Sequence, residues 1–177
     1  ANAFLSCPKL NNFNSIDIKD STKAYDVVIP ADVTVADYAF RYDTGITSVQ
    51  FLNKIIEDYA FSDCTNLATV VVTENLTHIN SYAFHNDTKL TKFYFGEEEF
   101  EGAKLPSGVT VGAYAFYANR GLVEVYADKA YIASHAFYLS NSISKVTVLS
   151  GTIGEAAFYQ NGTIQTIILG TETDGIT

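Results

Sequence analysis

Two cysteines, three histidines and one run of glutamates are the groups in this chain whose chemistry could reach beyond packing. Cys7 and Cys64 could form a disulfide, ligate a metal or serve as nucleophiles. His78, His85 and His135 could carry protons or bind a metal. Glu97, Glu98, Glu99 and Glu101 could attract Ca²⁺ or a basic partner. Their spacing matches no catalytic signature. Cys-x-x-Cys, His-x-x-x-His and Gly-x-Ser-x-Gly are absent from the chain, and no Gly-rich phosphate loop follows a strand-like segment. The alternating ligands of a Ca²⁺ loop are missing from the glutamate run. We therefore expect no catalytic, cofactor or metal site, and read the chain as a non-enzyme.

The elements that position these residues are set by a repeat. An Ala-Phe pair occurs at Ala3-Phe4, Ala39-Phe40, Ala60-Phe61, Ala83-Phe84, Ala115-Phe116, Ala136-Phe137 and Ala157-Phe158, at spacings of 36, 21, 23, 32, 21 and 21. Six residues after each Phe stands an aliphatic residue, from Leu10 and Ile46 to Ile164. Nine after stand Phe13, Val49, Val70, Phe93, Val125, Val146 and Ile167. Eleven after stand Phe51, Val72, Phe95, Ala127, Val148 and Leu169, with Ser15 departing in the first unit. The closing alternation is that of a strand with one buried face. A unit of 21–23 residues has room for a strand and a tight return but not for a full helix. One such unit cannot bury its own apolar face, so units must stack. Equivalent strands then lie parallel, about 4.8 Å apart. The chain is expected to be one mainly-β solenoid domain over residues 1–177, with about seven coils and short turns or 3-10 segments opposite the sheet.

Written out, the unit runs Ile56-Glu57-Asp58-Tyr59-Ala60-Phe61 through Cys64, Leu67, Val70 and Val72. This resembles the BspA-type leucine-rich repeat, over essentially residues 1–170. The family's Ile-Pro-x-x-Val connector is matched at Ile29-Pro30-Ala31-Asp32-Val33 and in related form at Leu105-Pro106-Ser107-Gly108-Val109. Its usual Gly before the Ala-Phe block is matched at Gly112 and Gly154 only. The resemblance implies a secreted or surface-displayed protein engaged in adhesion or protein recognition, and it carries no catalytic residues.

The register assigns roles to the reactive residues. Cys7 and Cys64 occupy equivalent positions two coils apart, roughly 10 Å, beyond the ~7 Å a disulfide spans. Both are expected as free, buried thiols. His135 stands where other units have Tyr38, Tyr59, Tyr82 and Tyr114, and is expected to fill an aromatic slot. Residues 17–25 and 96–102 are insertions, the second expected as a solvated acidic loop. On the outward, concave face of the sheet, positions eight and ten after the Phe give a candidate partner-binding set: Gln50, Lys92, Tyr94, Glu124, Tyr126 and Lys145. Tyr94 and Tyr126 are expected to lie exposed and side by side, a hot-spot composition. Tyr117, Tyr138 and Tyr159 form a second row on the turns, expected to complete coil-to-coil packing.

Composition narrows the partner. A net charge of −9, with 11 basic residues, argues against nucleic acid. No apolar run reaches the ~18 residues of a membrane helix. The absence of Met and the start within a repeat lead us to expect a fragment of a longer protein. No polar cap follows the last strand-like segment, which leads us to expect further repeats or end-to-end self-association. The leading functional expectation is an extracellular or cell-surface module that adheres to host, matrix or other surface proteins. The rival readings are a structural spacer without a ligand and a carbohydrate-binding module.

Overall fold

A computed structural model describes residues 25–170 of the chain. Cys7, the first Ala-Phe unit and most of the 17–25 insertion lie outside the described residues. Thirteen short strands and their turns make up the described part, in which no residue is helical. In chain order they are β1 (Val27–Ile29), β2 (Ser48–Phe51), β3 (Ile55–Ile56), β4 (Thr69–Val72), β5 (His78–Ile79), β6 (Lys92–Phe95), β7 (Gly102–Lys104), β8 (Thr110–Val111), β9 (Glu124–Ala127), β10 (Ala130–Ile132), β11 (Lys145–Val148), β12 (Gly151–Ile153) and β13 (Thr166–Leu169).

Two parallel sheets and one wall of turns wind around a shared core. The larger sheet has eight strands in the order β1-β2-β4-β6-β7-β9-β11-β13, and the smaller has five, β12-β10-β8-β5-β3. Register follows the repeat: Val49 pairs Val70, Val70 pairs Phe93, and Val125 pairs Val146. These residues point inward with Ile46, Leu67, Leu90 and Leu122, all fully or almost fully buried. The repeat phenylalanines form a continuous ladder, Phe40–Phe61–Phe84–Phe116–Phe137–Phe158. Successive centroids are 5.1, 5.6, 5.4, 4.9 and 5.1 Å apart and the rings lie near parallel. The solenoid expected from the sequence, with its sheet opposite short turns, is the architecture found.

The turn wall has an unusual backbone. Each Tyr of the Tyr-Ala-Phe block sits at positive φ: Tyr38 at 61°, Tyr59 at 56°, Tyr82 at 59° and Tyr114 at 57°, with His135 at 59° in the same place. Each is the third residue of a turn closed by the following Ala, as when the Ala60 amide donates to the Glu57 carbonyl at 3.2 Å. Such turns favour Gly there, and a bulky residue costs roughly 1–2 kcal/mol in this conformation. Two gains offset that cost. The strained residue's own amide bonds the next coil, Tyr59 N–H to the Ser81 carbonyl at 3.1 Å. The rings also stack: Tyr38–Tyr59 at 4.7 Å, Tyr59–Tyr82 at 4.6 Å, Tyr82–Tyr114 at 5.0 Å and Tyr114–His135 at 5.0 Å. Each stack is worth about 0.5–1.5 kcal/mol beyond its area, and a Gly would forfeit it. His135 fills its aromatic slot as the sequence suggested.

The 96–102 insertion departs from expectation. Its last residue, Gly102, opens β7, which inserts between β6 and β9 (Phe93 opposite Ala103, Ala103 opposite Val125). The smaller sheet has no matching strand, since β5 pairs directly with β8. Adjacent coils therefore stand two strand spacings apart on one side, about 10 Å, and one on the other. Sequence periodicity missed β7 because Gly-Ala-Lys is too short and too small in its side chains to show an apolar alternation.

Candidate functional site

Two rows of side chains run across the outward face of the eight-stranded sheet. One comprises Ser48, Thr69, Lys92, Glu124, Lys145 and Thr166, and the other Val28, Gln50, Val71, Tyr94, Lys104, Tyr126, Thr147 and Ile168. The six sequence-derived candidates fall on these rows as the register demands, but the structure does not bring them into one surface. Tyr94 and Tyr126 are not neighbours: β7 separates them, and Lys104 stands opposite Tyr126. Tyr94 is 2% exposed and Gln50 6%, so both are correctly placed on the face yet hidden within it. Their expected exposure is corrected accordingly.

The row of Tyr94 is buried along most of its length, with Val28, Gln50, Val71 and Thr147 also hidden, and at Tyr94 the acidic insertion adds to the cover. To reach β7 in parallel with β6, residues 96–101 must run back along the sheet toward the start of β6. Glu99 and Glu101 meet Lys92 there, with Lys92 Nζ 2.6 Å from Glu99 Oε2 and 3.1 Å from Glu101 Oε1. These two hydrogen-bonded carboxylates push the Lys92 pKa up to about 12. The same folding back encloses Tyr94, whose phenol pKa is raised by burial first and by the Glu99 charge second. Residues 96–101 are thus a solvent-exposed acidic strap, as expected of the loop, that is also pinned at Lys92. In Lys92→Ala, cleavage by a Glu-specific protease between Glu97 and Glu101 is expected to accelerate severalfold while the rest of the chain stays resistant. Unchanged cleavage would show that the strap is held by its backbone alone.

The accessible charged and aromatic side chains of this face cluster on β7, β9 and β11. Glu124 and Lys145 pair at 2.7 Å, their side chains 25% and 43% exposed, and half-buried Tyr126 and Lys104 lie beside them. An aromatic anchor bordered by both charge signs and by an acidic strap suits recognition of a polar protein surface.

The turn wall offers a second aromatic surface of a different kind. His85 stacks on Tyr117 at 4.7 Å, Tyr117 meets Tyr138 edge-on at 5.3 Å, and Tyr138 stacks on Tyr159 at 5.6 Å. Two of these contacts are face to face and one is edge to face, each joining one coil to the next, which is the packing role expected for this row. At its other end the Arg41 guanidinium lies over Tyr38, Tyr42 and Tyr59, 4.5–5.7 Å from their centroids.

Of the two cysteines, Cys64 is described. Cys64 is a free thiol, fully buried, and its Sγ–H donates to the Phe40 carbonyl at 3.0 Å. Burial raises its pKa well above the usual thiol value, which keeps it an unreactive thiol. Among the described residues, no cluster of three or more His, Cys, Asp or Glu side chains could hold a metal. Nor, among the same residues, is any helix long and apolar enough to cross a membrane.

The family model described as the BspA type leucine rich repeat region matches the chain in six copies, over residues 1–103 and 89–177. No curated protein sequence matches the chain. Among solved structures, a leucine rich repeat protein of T. pallidum superposes with a TM-score of 0.63 at 21% identity, covering 80% of this chain and 67% of that one. A leucine rich cell surface protein of Faecalibacterium prausnitzii A2-165 gives 0.56 at 24% identity, covering 82% of this chain. The match takes in 48% of the F. prausnitzii protein, about half its length. At these identities the two structures establish a shared fold.

Proposed function

The chain belongs to the BspA-type leucine-rich repeat family, and from that premise we propose that it is an extracellular or cell-surface module that adheres to host, matrix or other surface proteins. Leucine-rich-repeat solenoids are typically non-enzymatic scaffolds that present a sheet face to protein partners. The observation that carries the reading is the accessible strip of that face: Lys104, Glu124, Tyr126 and Lys145 beside the Glu97–Glu101 strap. Its Tyr anchor and mixed charges are the composition of protein hot spots. The surface location draws support from the family and from the F. prausnitzii neighbour, described as a cell surface protein.

Carbohydrate recognition is the weaker rival. Sugars stack on the open faces of aromatic rings, and most faces in both tyrosine rows lie against the next ring. Tyr159, 57% exposed at the end of its row, is the exception. The test is a binding screen against extracellular-matrix proteins and a glycan panel, using the chain and a Tyr126→Ser/Lys145→Ala variant. A protein hit weakened at least about tenfold in the variant, or roughly 1.4 kcal/mol, is the expected result. A glycan hit abolished by Tyr159→Ser would replace it with the carbohydrate reading. Binding to neither panel would favour a spacer.

A further inference from the structure

The third residue after each repeat Phe is buried and polar in almost every coil: Asp43, Cys64, Asp87, Asn119, Ser140 and Asn161. Four of them make the same bond. The side chain donates to the carbonyl of the repeat Phe one coil earlier, Cys64 to Phe40 at 3.0 Å, and Asn119 to Phe84, Ser140 to Phe116 and Asn161 to Phe137 at 2.7 Å each. The position selects a side chain with a proton to give, because the Phe carbonyl it faces is buried and has a second lone pair to fill.

Asp87 occupies this position above Phe61. It is fully buried, and neither carboxylate oxygen has a hydrogen-bond partner in good geometry, the neighbouring Cys64 amide being directed to the Phe61 carbonyl at 3.2 Å. No cation faces it. On the preceding coil are the neutral Cys64 thiol and Asp63, whose charge is held by Arg41 at 3.4 Å and by the Asn86 amide at 3.0 Å. On its own coil His85 Nδ1 stands 3.8 Å from Asp63, and burial favours its neutral ring. On the following coil Asn119 donates elsewhere, to Phe84. An isolated buried carboxylate is too costly to persist and takes up a proton instead.

We propose that Asp87 is held in the fold as a neutral carboxylic acid that donates to the Phe61 carbonyl, so that the joint between these two coils is a pH-sensitive one that weakens as pH rises. The direction agrees with burial, which raises this carboxyl well above the usual range, helped by Asp63 and opposed by the nearby Cys64 amide. The sign follows from linkage. A carboxyl that binds its proton more tightly in the folded state contributes full stability below its unfolded value of about 3.9. That contribution is lost as pH rises toward the folded value, a tenfold fall in the folded-to-unfolded ratio per pH unit.

The test is urea unfolding of the chain and of Asp87→Asn from pH 3.5 to pH 8, with Asp87→Ser as a second variant that copies the donor found at Ser140. Asn supplies the same donor without a titratable proton, as Asn119 and Asn161 do. The expected result is a midpoint for Asp87→Asn above that of the parent chain at pH 7, with the gap closing as pH falls to 4. The carbon-13 shift of the Asp87 carboxyl should also stay in its protonated range at neutral pH. A gap that does not vary with pH, or a carboxyl shift that titrates near the ordinary value, would overturn the proposal. If Asp87→Asn fails to fold, Asp87→Ser and the carboxyl shift decide it.

Discussion

Replacing Phe84 with Ala is expected to cost the fold about 3–5 kcal/mol, several times the cost of the same change at Phe158. Phe84 is fully buried and lies between Phe61 at 5.6 Å and Phe116 at 5.4 Å, with Phe93 edge-on at 5.5 Å. Removing its ring opens a cavity facing two coils, and parallel-sheet hydrogen bonds on both sides prevent the coils from closing onto it. Phe158 is half-buried and stacks on Phe137 alone, at 5.1 Å. In a solenoid whose stability is a sum of nearest-neighbour interfaces, a central defect weakens two interfaces and a terminal one weakens a single interface. Urea unfolding of both variants measures the difference. The Phe84→Ala curve should broaden or divide in two as the halves uncouple. Equal losses at the two sites would show that the core does not behave as a ladder.

Most of this architecture was legible because its cause is periodic. The Ala-Phe pair and the aliphatic positions six, nine and eleven residues later fix which side chains point inward, and an inward residue in one coil has its partner in the next. Val49 pairs Val70, Val70 pairs Phe93 and Val125 pairs Val146 as their spacing required, while Ala103 comes between Phe93 and Val125. The burial of Cys64 and the aromatic slot of His135 follow from the same register. The turn backbone was not legible. A Tyr at positive φ contradicts its local preference, and the turn takes this backbone from its place in the coil, since Ala156 adopts φ 53° there without a ring. Nor does the pattern say how accessible an outward residue is. Position ten places Gln50, Tyr94 and Tyr126 on one face, yet Val28, Gln50, Val71, Tyr94 and Thr147 in that row are buried while Tyr126 is only half-buried. The register thus put the six candidates on the outward face of the sheet, and burial then divided them, hiding Gln50 and Tyr94.

Gly102 decides whether the insertion is built into the sheet. Its φ is +128°, and a Cβ there would fall 2.2 Å from the Glu124 carbonyl oxygen and 2.9 Å from the Glu124 amide nitrogen and carbonyl carbon. Those are backbone atoms of β9, fixed by pairing on both sides, so they cannot retreat as a flexible side chain could. Gly102→Ala is expected to destabilise the chain by at least about 3 kcal/mol, combining backbone strain with overpacking. Gly96→Ala provides the contrast: its φ of +89° disfavours Ala, but nothing lies within 4 Å of the added methyl, and about 1–2 kcal/mol is expected. Chemical denaturation separates the two. Because Glu101 adjoins Gly102, the variant should also free the strap from Lys92 and expose Glu97–Glu101 to proteolysis. Lys92→Ala should do the same without a comparable loss of stability. If 96–102 were only a loop on the rim of the sheet, both glycines would tolerate Ala alike. A large loss at Gly102 alone identifies β7 as a strand the sheet depends on, and makes the cover over Tyr94 a consequence of the sheet's own construction.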